Sequence, residues 1–202
     1  MPSSAKTSTP FGCRTCATAG CFTGDASRMP KTCPTRTESQ AKDVTGYQSE
    51  ERQALMRVAD QAPMTLDRTL RNRVDELIFF AQGRGMQRVG IAHCVTLQKE
   101  AQELARQLEA AGLSTELVCC RVGAVDYGEI GLPKAHPEKF AAICNPVAQA
   151  RLLNERQVDL VAQVGLCIGH DLVLQEECEA PVTTLVVKDR VHDHSPVRAL
   201  RP

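Results

Sequence analysis

The sequence predicts an α/β fold: a parallel sheet of about four strands with helices on both faces. Three observations predict it. Between Arg88 and Lys188, short apolar runs alternate with segments of helical period. The runs are apolar throughout, with no in-and-out alternation, as expected of strands covered on both sides. A cysteine-rich stretch with no period precedes them, too poor in apolar residues to form a core of its own.

The elements follow in order. Residues 1–10 form a Ser/Thr/Pro tail, expected to be disordered. Residues 11–37 form a segment rich in Gly, Thr, Ala and Cys that needs a cross-link or a metal to be ordered. Residues 38–46 form a polar linker, and residues 47–202 the α/β domain.

A helix is expected from Tyr47 to Ala62, ended by Pro63. A second follows the spacing of Leu66, Leu70, Val74, Leu77, Ile78 and Ala81 and stops at Gly83 and Gly85. Arg88–His93 is the first strand. Leu97, Ala101, Leu104, Leu108 and Ala111 trace the next helix, with Gly112 in the capping position. Thr115–Val122 is the second strand, followed by a loop containing Gly123, Gly128, Gly131 and Pro133. Asn145–Gln157 is a helix with Pro146 in its first turn. Val158–Val164 is the third strand, Gly169–Cys178 a short helix and Val182–Lys188 the fourth strand. Right-handed crossovers would make this a small Rossmann-like or flavodoxin-like layered domain.

Charge excludes some partners. Lys+Arg and Asp+Glu each number 24, so nothing draws the chain toward nucleic acid or an anionic membrane. Aromatic residues are 3%, too few for base-stacking platforms. No run approaches a membrane span, and residues 1–10 lack the apolar core of a secretory signal. A cytoplasmic location is therefore expected. In a reducing compartment, ten cysteines point to metal ligands or catalytic thiols before disulfides.

The first cysteine group is Cys13, Cys16, Cys21 and Cys33. A two-residue gap lets Cys13 and Cys16 reach one metal from a tight turn. The other two would complete a tetrahedron around Zn²⁺ or the corners of an iron–sulfur cluster. No strand precedes Cys13-x-x-Cys16, which argues against a thioredoxin-like redox pair.

The second group depends on the sheet. Cys94 follows the first strand, Cys120 lies near the end of the second and Cys167 follows the third. Parallel strands end on one edge, where open α/β folds bind ligands. Cys144, just before the Asn145 helix, joins them if its loop returns over that edge. Cys119 and Cys120 face opposite sides of their strand. Cys120 is therefore the expected ligand and Cys119 a core residue. Cys178, late in a helix, is expected to be a plain thiol.

His170 opens a helix close to Cys167 and is the candidate acid/base. His93 is expected in the core, and His192 and His194 in a solvated tail. Lys188, Asp189 and Arg190, after the fourth strand, are candidate anchors for an anionic ligand at the same edge. No GxGxxG, P-loop or nucleophile elbow is present.

Three segments resemble a known family: Cys144-Asn-Pro-Val-Ala-Gln-Ala, Gly165-Leu-Cys-Ile-Gly-His-Asp171 and Ala180-Pro-Val-Thr-Thr-Leu-Val-Val-Lys-Asp-Arg-Val191. The family is the prokaryotic domain of unknown function 1847, whose members are labelled predicted metal-binding proteins. The resemblance extends to Cys33-Pro-Thr35 and Ala92-His-Cys94 and covers nearly the whole chain. It implies an N-terminal cysteine motif ahead of a cysteine-bearing α/β domain, and no particular reaction. Where members commonly carry Gly-His-Asn-Pro, this chain has Asp193-His-Ser-Pro196.

Three functions are compatible with these residues. In the first, Cys94, Cys144 and Cys167 hold an iron–sulfur cluster, such as [4Fe–4S] with one iron open for redox or Lewis-acid chemistry. In the second, the protein is a non-catalytic zinc carrier or regulatory module. In the third, it is a thiol-redox or sulfur-transfer enzyme. The partner would be a small molecule or an electron-transfer protein.

Overall fold

A computed structural model describes residues 9–201 of the chain. The tail reading over residues 1–10 falls almost wholly outside them. The chain divides into two compact units, Met1–Ala54 and Leu55–Pro202.

The first unit is made of short turns. They are a 3₁₀ turn at Gly12–Thr15, α1 (Gly20–Thr23), a 3₁₀ turn at Ala26–Arg28, α2 (Pro34–Thr37) and two further 3₁₀ turns at Ser39–Lys42 and Thr45–Tyr47. Its described buried residues are Gly12, Gly20, Met29 and Cys33. Gly12 donates its N–H to the Thr32 carbonyl at 2.9 Å, which brings two turns together. A side chain at Gly12 would meet Pro30 Cβ and Thr32 Oγ1 at 2.9 Å, so this contact needs glycine.

The chain then continues through α3 (Glu50–Gln61), α4 (Arg73–Gly83), β1 (Arg88–His93), α5 (Gln98–Ala110), β2 (Ser114–Cys119), α6 (Pro146–Glu155), β3 (Leu160–Val164), α7 (His170–Glu177) and β4 (Val182–Val186). The four strands form one sheet in the order β2-β1-β3-β4, and every pairing is parallel. The α/β class expected from the alternating pattern is the observed one.

Helices cover both faces. On one, Leu77 and Ala81 of α4 and Ala101, Leu104 and Leu108 of α5 cluster with Val89, Ile91, Ala162 and Val164. On the other, Ala150 and Leu153 of α6 and Leu174 of α7 cluster with Ala92 and Val161. Burial on both sides explains why the strands carry so few polar residues. α5 ends as predicted. Gly112, at φ 84°, donates to Glu109, and Leu113 donates back to Leu108, the paired bonds of a Schellman cap.

The second expected helix begins later than its apolar spacing indicated, at Arg73 and not near Leu66. The Asn72 side chain accepts the N–H groups of Val74 and Asp75 and fixes the start there. Upstream, Met64 bridges Leu70 across a turn in which Arg68 has φ 67°. Arg71 donates to the carbonyls of Gln61, Ala62 and Met64. Leu66 and Leu70 are exposed in that turn. β2 also stops early, at Cys119 and not Val122. Val122 donates to the Cys119 carbonyl and turns the chain off the sheet. Among the described residues no helix is long and apolar enough to cross a membrane.

Candidate metal centre

In a sheet of this order the chain leaves β1 toward one neighbour and later returns on its other side. The ligand crevice of such folds lies outside the carboxyl ends of the two strands at that switch. Here those strands are β1 and β3, and the residues just beyond them carry Cys94 and Cys167.

Cys94 extends the ladder by donating its N–H to Val164 O at 3.0 Å. The chain then turns through the 3₁₀ segment Val95–Leu97 into α5. Cys120 donates its N–H to His93 O at 2.8 Å and accepts Asn145 N–H at 2.7 Å. Its backbone thus joins the end of β1 to the start of the α6 segment. Asn145 caps α6 through the Ala148 N–H and leaves Cys144 immediately outside the helix. Cys144 and Cys120 sulfurs stand 3.8 Å apart. The Val95 N–H donates to the Cys120 sulfur at 3.3 Å. The Cys167 carbonyl accepts the N–H groups of His170 and Asp171, which tie its loop to the first turn of α7.

Two cations reach this group from the segment after β4. Lys188 Nζ lies 3.3 Å from Cys94 Sγ and also donates to the Thr96 hydroxyl. Arg190 donates to Cys167 Sγ at 3.2 Å. Burial pushes the Cys94 thiol up, but the Thr96 hydroxyl, the Thr96 N–H and the Lys188 ammonium outweigh it and hold Cys94 below its ordinary value. Cys120 goes the other way. Burial pushes it up to about 12, the Val95 N–H opposes, and the neighbouring Cys144 and Cys94 add to the rise. One sulfur is thus biased toward thiolate and its neighbour toward thiol.

Other candidate residues fare differently. Asp189 is turned into its own loop, where its carboxylate accepts the N–H groups of Val191 and His192 and meets His192 Nδ1 at 3.1 Å. It organises the segment bearing Lys188 and Arg190 and does not face the thiols as an anion anchor. His170 is half-buried with an Nδ1 that has no partner. His93 is buried, with Nδ1 3.1 Å from the Cys94 carbonyl. Cys178 is a plain half-buried thiol that its partial burial pushes up to about 11.

In the first unit, Cys33 is buried, Cys16 half-buried and Cys13 and Cys21 exposed. The backbone N–H groups of Thr18, Ala19 and Gly20 and the Thr18 hydroxyl hold the Cys16 thiol below its ordinary value, against a small opposing effect of burial. Such N–H donors are what a thiolate ligand receives from its surroundings. Among the described residues, no three His, Cys, Asp or Glu side chains stand close enough to hold one metal ion as they are.

Two residues of the centre were not foreseen. Thr96 serves both Cys94 and Lys188. Gln149 is fully buried and donates to the Val118 and His93 carbonyls, and its carboxamide oxygen has no partner. A polar residue within the apolar stripe Pro146, Ala150, Leu153 was the available signal for Gln149.

The loop delivering Cys144 is held by Asp126. Its carboxylate meets Lys134 Nζ at 2.9 Å and accepts the Gly128 and Ala141 N–H groups at 2.8 Å each. Lys134 and then those amides hold Asp126 down at about 2. Since the folded value lies below the ordinary carboxylate value of about 4, this support is complete above pH ~4 and disappears as pH falls toward 2. Asp126→Asn should therefore speed hydrogen exchange at Gly128 and Ala141 at neutral pH, and the wild type should show the same change only in acid. Identical exchange in the two proteins at pH 7 would contradict it.

Comparison with known proteins places the chain in a family. The family described as protein of unknown function, DUF1847, matches residues 32–185, a span containing Cys33 and all the sheet-edge cysteines. The uncharacterized protein MJ0455 of Methanocaldococcus jannaschii is 34% identical over 188 residues, covering 93% of this chain and 92% of that protein. No solved structure matches the chain. Ten cysteines and these matches are compatible with metal binding, and the chain belongs to the DUF1847 family.

Proposed function

We propose that this protein binds metal through thiolates of Cys94, Cys120, Cys144 and Cys167 at the sheet edge, with Cys13, Cys16, Cys21 and Cys33 as a second ligand set. The observation that carries the reading is the Cys120–Cys144 sulfur separation of 3.8 Å, within a group of four cysteines brought to one edge by four different segments. Two thiolates on one tetrahedral metal at about 2.3 Å are themselves about 3.8 Å apart. The pair thus suits Zn²⁺ or a single iron of an iron–sulfur cluster. In a [4Fe–4S] cluster each thiolate caps its own iron, and Cys94, Cys144 and Cys167 would be the set for that occupant.

When bound, a cluster would supply electron transfer or Lewis acidity, and zinc a cross-link or Lewis acidity. His170, whose N–H donates to the Cys167 carbonyl and whose Nδ1 has no partner, would carry a proton beside that ligand.

A second reading draws on Cys94 alone. A thiolate beside Lys188 and Thr96, with further thiols close by, suits thiol-redox or sulfur-transfer chemistry without a metal.

Anaerobic purification of the full chain, followed by iron, acid-labile sulfide and zinc determination, separates these. Iron with sulfide supports the cluster, and zinc without colour supports the zinc module. A metal-free protein with fast, selective alkylation at Cys94 refutes the metal reading in favour of the thiol one.

A further inference from the structure

The loop that leaves β2 and returns to α6 brings two thiols into contact. The sulfurs of Cys120 and Cys144 stand 3.8 Å apart, and among the described residues no other hydrogen bond joins two cysteine sulfurs. Cys94 is engaged differently, by Thr96 and Lys188, and Cys167 by Arg190.

The surrounding backbone holds the pair side by side without using either sulfur. Asn145 N–H donates to the Cys120 carbonyl at 2.7 Å, and Ile143 N–H to the Val125 carbonyl at 2.8 Å. The Arg121 guanidinium donates to the Ala142 carbonyl. Three bonds thus tie residues 120–125 to residues 142–145. The sulfurs need close by only about 1.8 Å to reach the bonded separation of about 2.05 Å, a movement that side-chain torsions supply with the backbone in place.

The two sulfurs differ in access. Cys120 is 2% exposed, whereas Cys144 is half-buried. A molecule arriving from solvent meets Cys144, and Cys120 is reached through it. Half-burial of Cys144 favours a substrate that can enter end-on, a small aliphatic disulfide, over a disulfide fixed in a folded protein.

We infer that Cys144 and Cys120 form a dithiol–disulfide couple that reduces small disulfides, with Cys144 as the attacking sulfur and Cys120 as the resolving one. The inference rests on the metal-free thiol reading above and adds to it two further sulfurs and a substrate class. In the first step the Cys144 thiolate attacks one sulfur of the substrate. The substrate S–S bond breaks, one half leaves as a thiolate that takes up a proton, and the other half stays on Cys144 as a mixed disulfide. In the second step the Cys120 sulfur, having given up its proton, attacks the Cys144 sulfur. The second half then leaves and is protonated. Two protein thiols have become one disulfide, and one small disulfide has become two small thiols.

The test incubates the full chain, purified anaerobically, with hydroxyethyl disulfide. The remaining thiols are alkylated, and every cysteine is mapped by peptide mass spectrometry. Trypsin places Cys120 in residues 107–121 and Cys144 in residues 140–151. The expected product links these two peptides through Cys120, with Cys119 alkylated. Cys120→Ser should stop the reaction halfway and leave Cys144 carrying a mercaptoethanol adduct. Cys144→Ser should leave Cys120 unlinked and free of adduct.

A mercaptoethanol adduct that persists on Cys144 in the wild type overturns the inference, since Cys120 would then not resolve it. Substrate captured on Cys94, with Cys120 and Cys144 still thiols, overturns it while leaving the thiol reading in place. If Cys94, Cys120, Cys144 and Cys167 all remain thiols, the thiol reading itself fails.

Discussion

Gly165→Ala is expected to destabilise the sheet-bearing unit by about 2–5 kcal/mol and to disturb Lys188. Gly165 follows β3 and has φ 65°, a left-handed conformation that a Cβ disfavours by about 1–2 kcal/mol. That Cβ would also stand 2.2 Å from Leu97 Cδ1 and 3.8 Å from Lys188 Cδ. Leu97 is buried in the core beneath α5, so it has little room to withdraw. Forcing it aside costs typically 1–3 kcal/mol and shifts the turn that begins at Cys94. Urea denaturation measures the loss. Leu97→Ala in the same chain removes the obstructing methyl, so the double variant should be more stable than the sum of the two single costs. Strict additivity would mean that the clash with Leu97 is not the cause.

Under the proposed metal reading, Cys144→Ser is expected to lower the metal retained at the sheet edge by more than tenfold while leaving the metal-free fold at wild-type stability. Serine preserves shape, but its hydroxyl stays protonated at neutral pH and is a poor ligand for a thiophilic ion. Cys144 is half-buried, lies outside the α6 cap and packs only at the margin of the core, where serine keeps nearly the same volume. Cys178→Ser is the matched control, because that thiol is set apart by burial among apolar groups. Metal analysis after gel filtration reads both. Equal metal in the Cys144 and Cys178 variants would remove Cys144 from the ligand set.

The sheet was legible because its strands are apolar on both faces. Arg88–His93 could be bounded to the residue, and the convergence of Cys94, Cys120 and Cys167 followed from parallel strands sharing one edge. The start of α4 was not legible from periodicity. Leu66 and Leu70 have the right spacing, yet Asn72 captures the first free amides and Arg71 ties the preceding carbonyls into a turn. Hydrophobic period does not register a cap that competes with it. Within the centre, the cations were legible by their place after β4, but Asp189 was not separable from them. Three adjacent charged residues share a location in sequence, and only the turn decides which of them faces the sulfur. Thr96 and Gln149 act through short bonds between segments far apart in sequence, and no local pattern encodes such bonds.

Cys120 is held by its peptide group, through one bond to His93 and another from Asn145. Any amino acid except proline could make the first bond and every one could make the second. The backbone frame of the crevice is therefore indifferent to the chemistry at that position, which its burial limits only to side chains of about cysteine's size. Descendants of this chain could lose, exchange or regain the sulfur there without renegotiating the scaffold, which leaves the chemistry of the crevice free to drift faster than the fold around it.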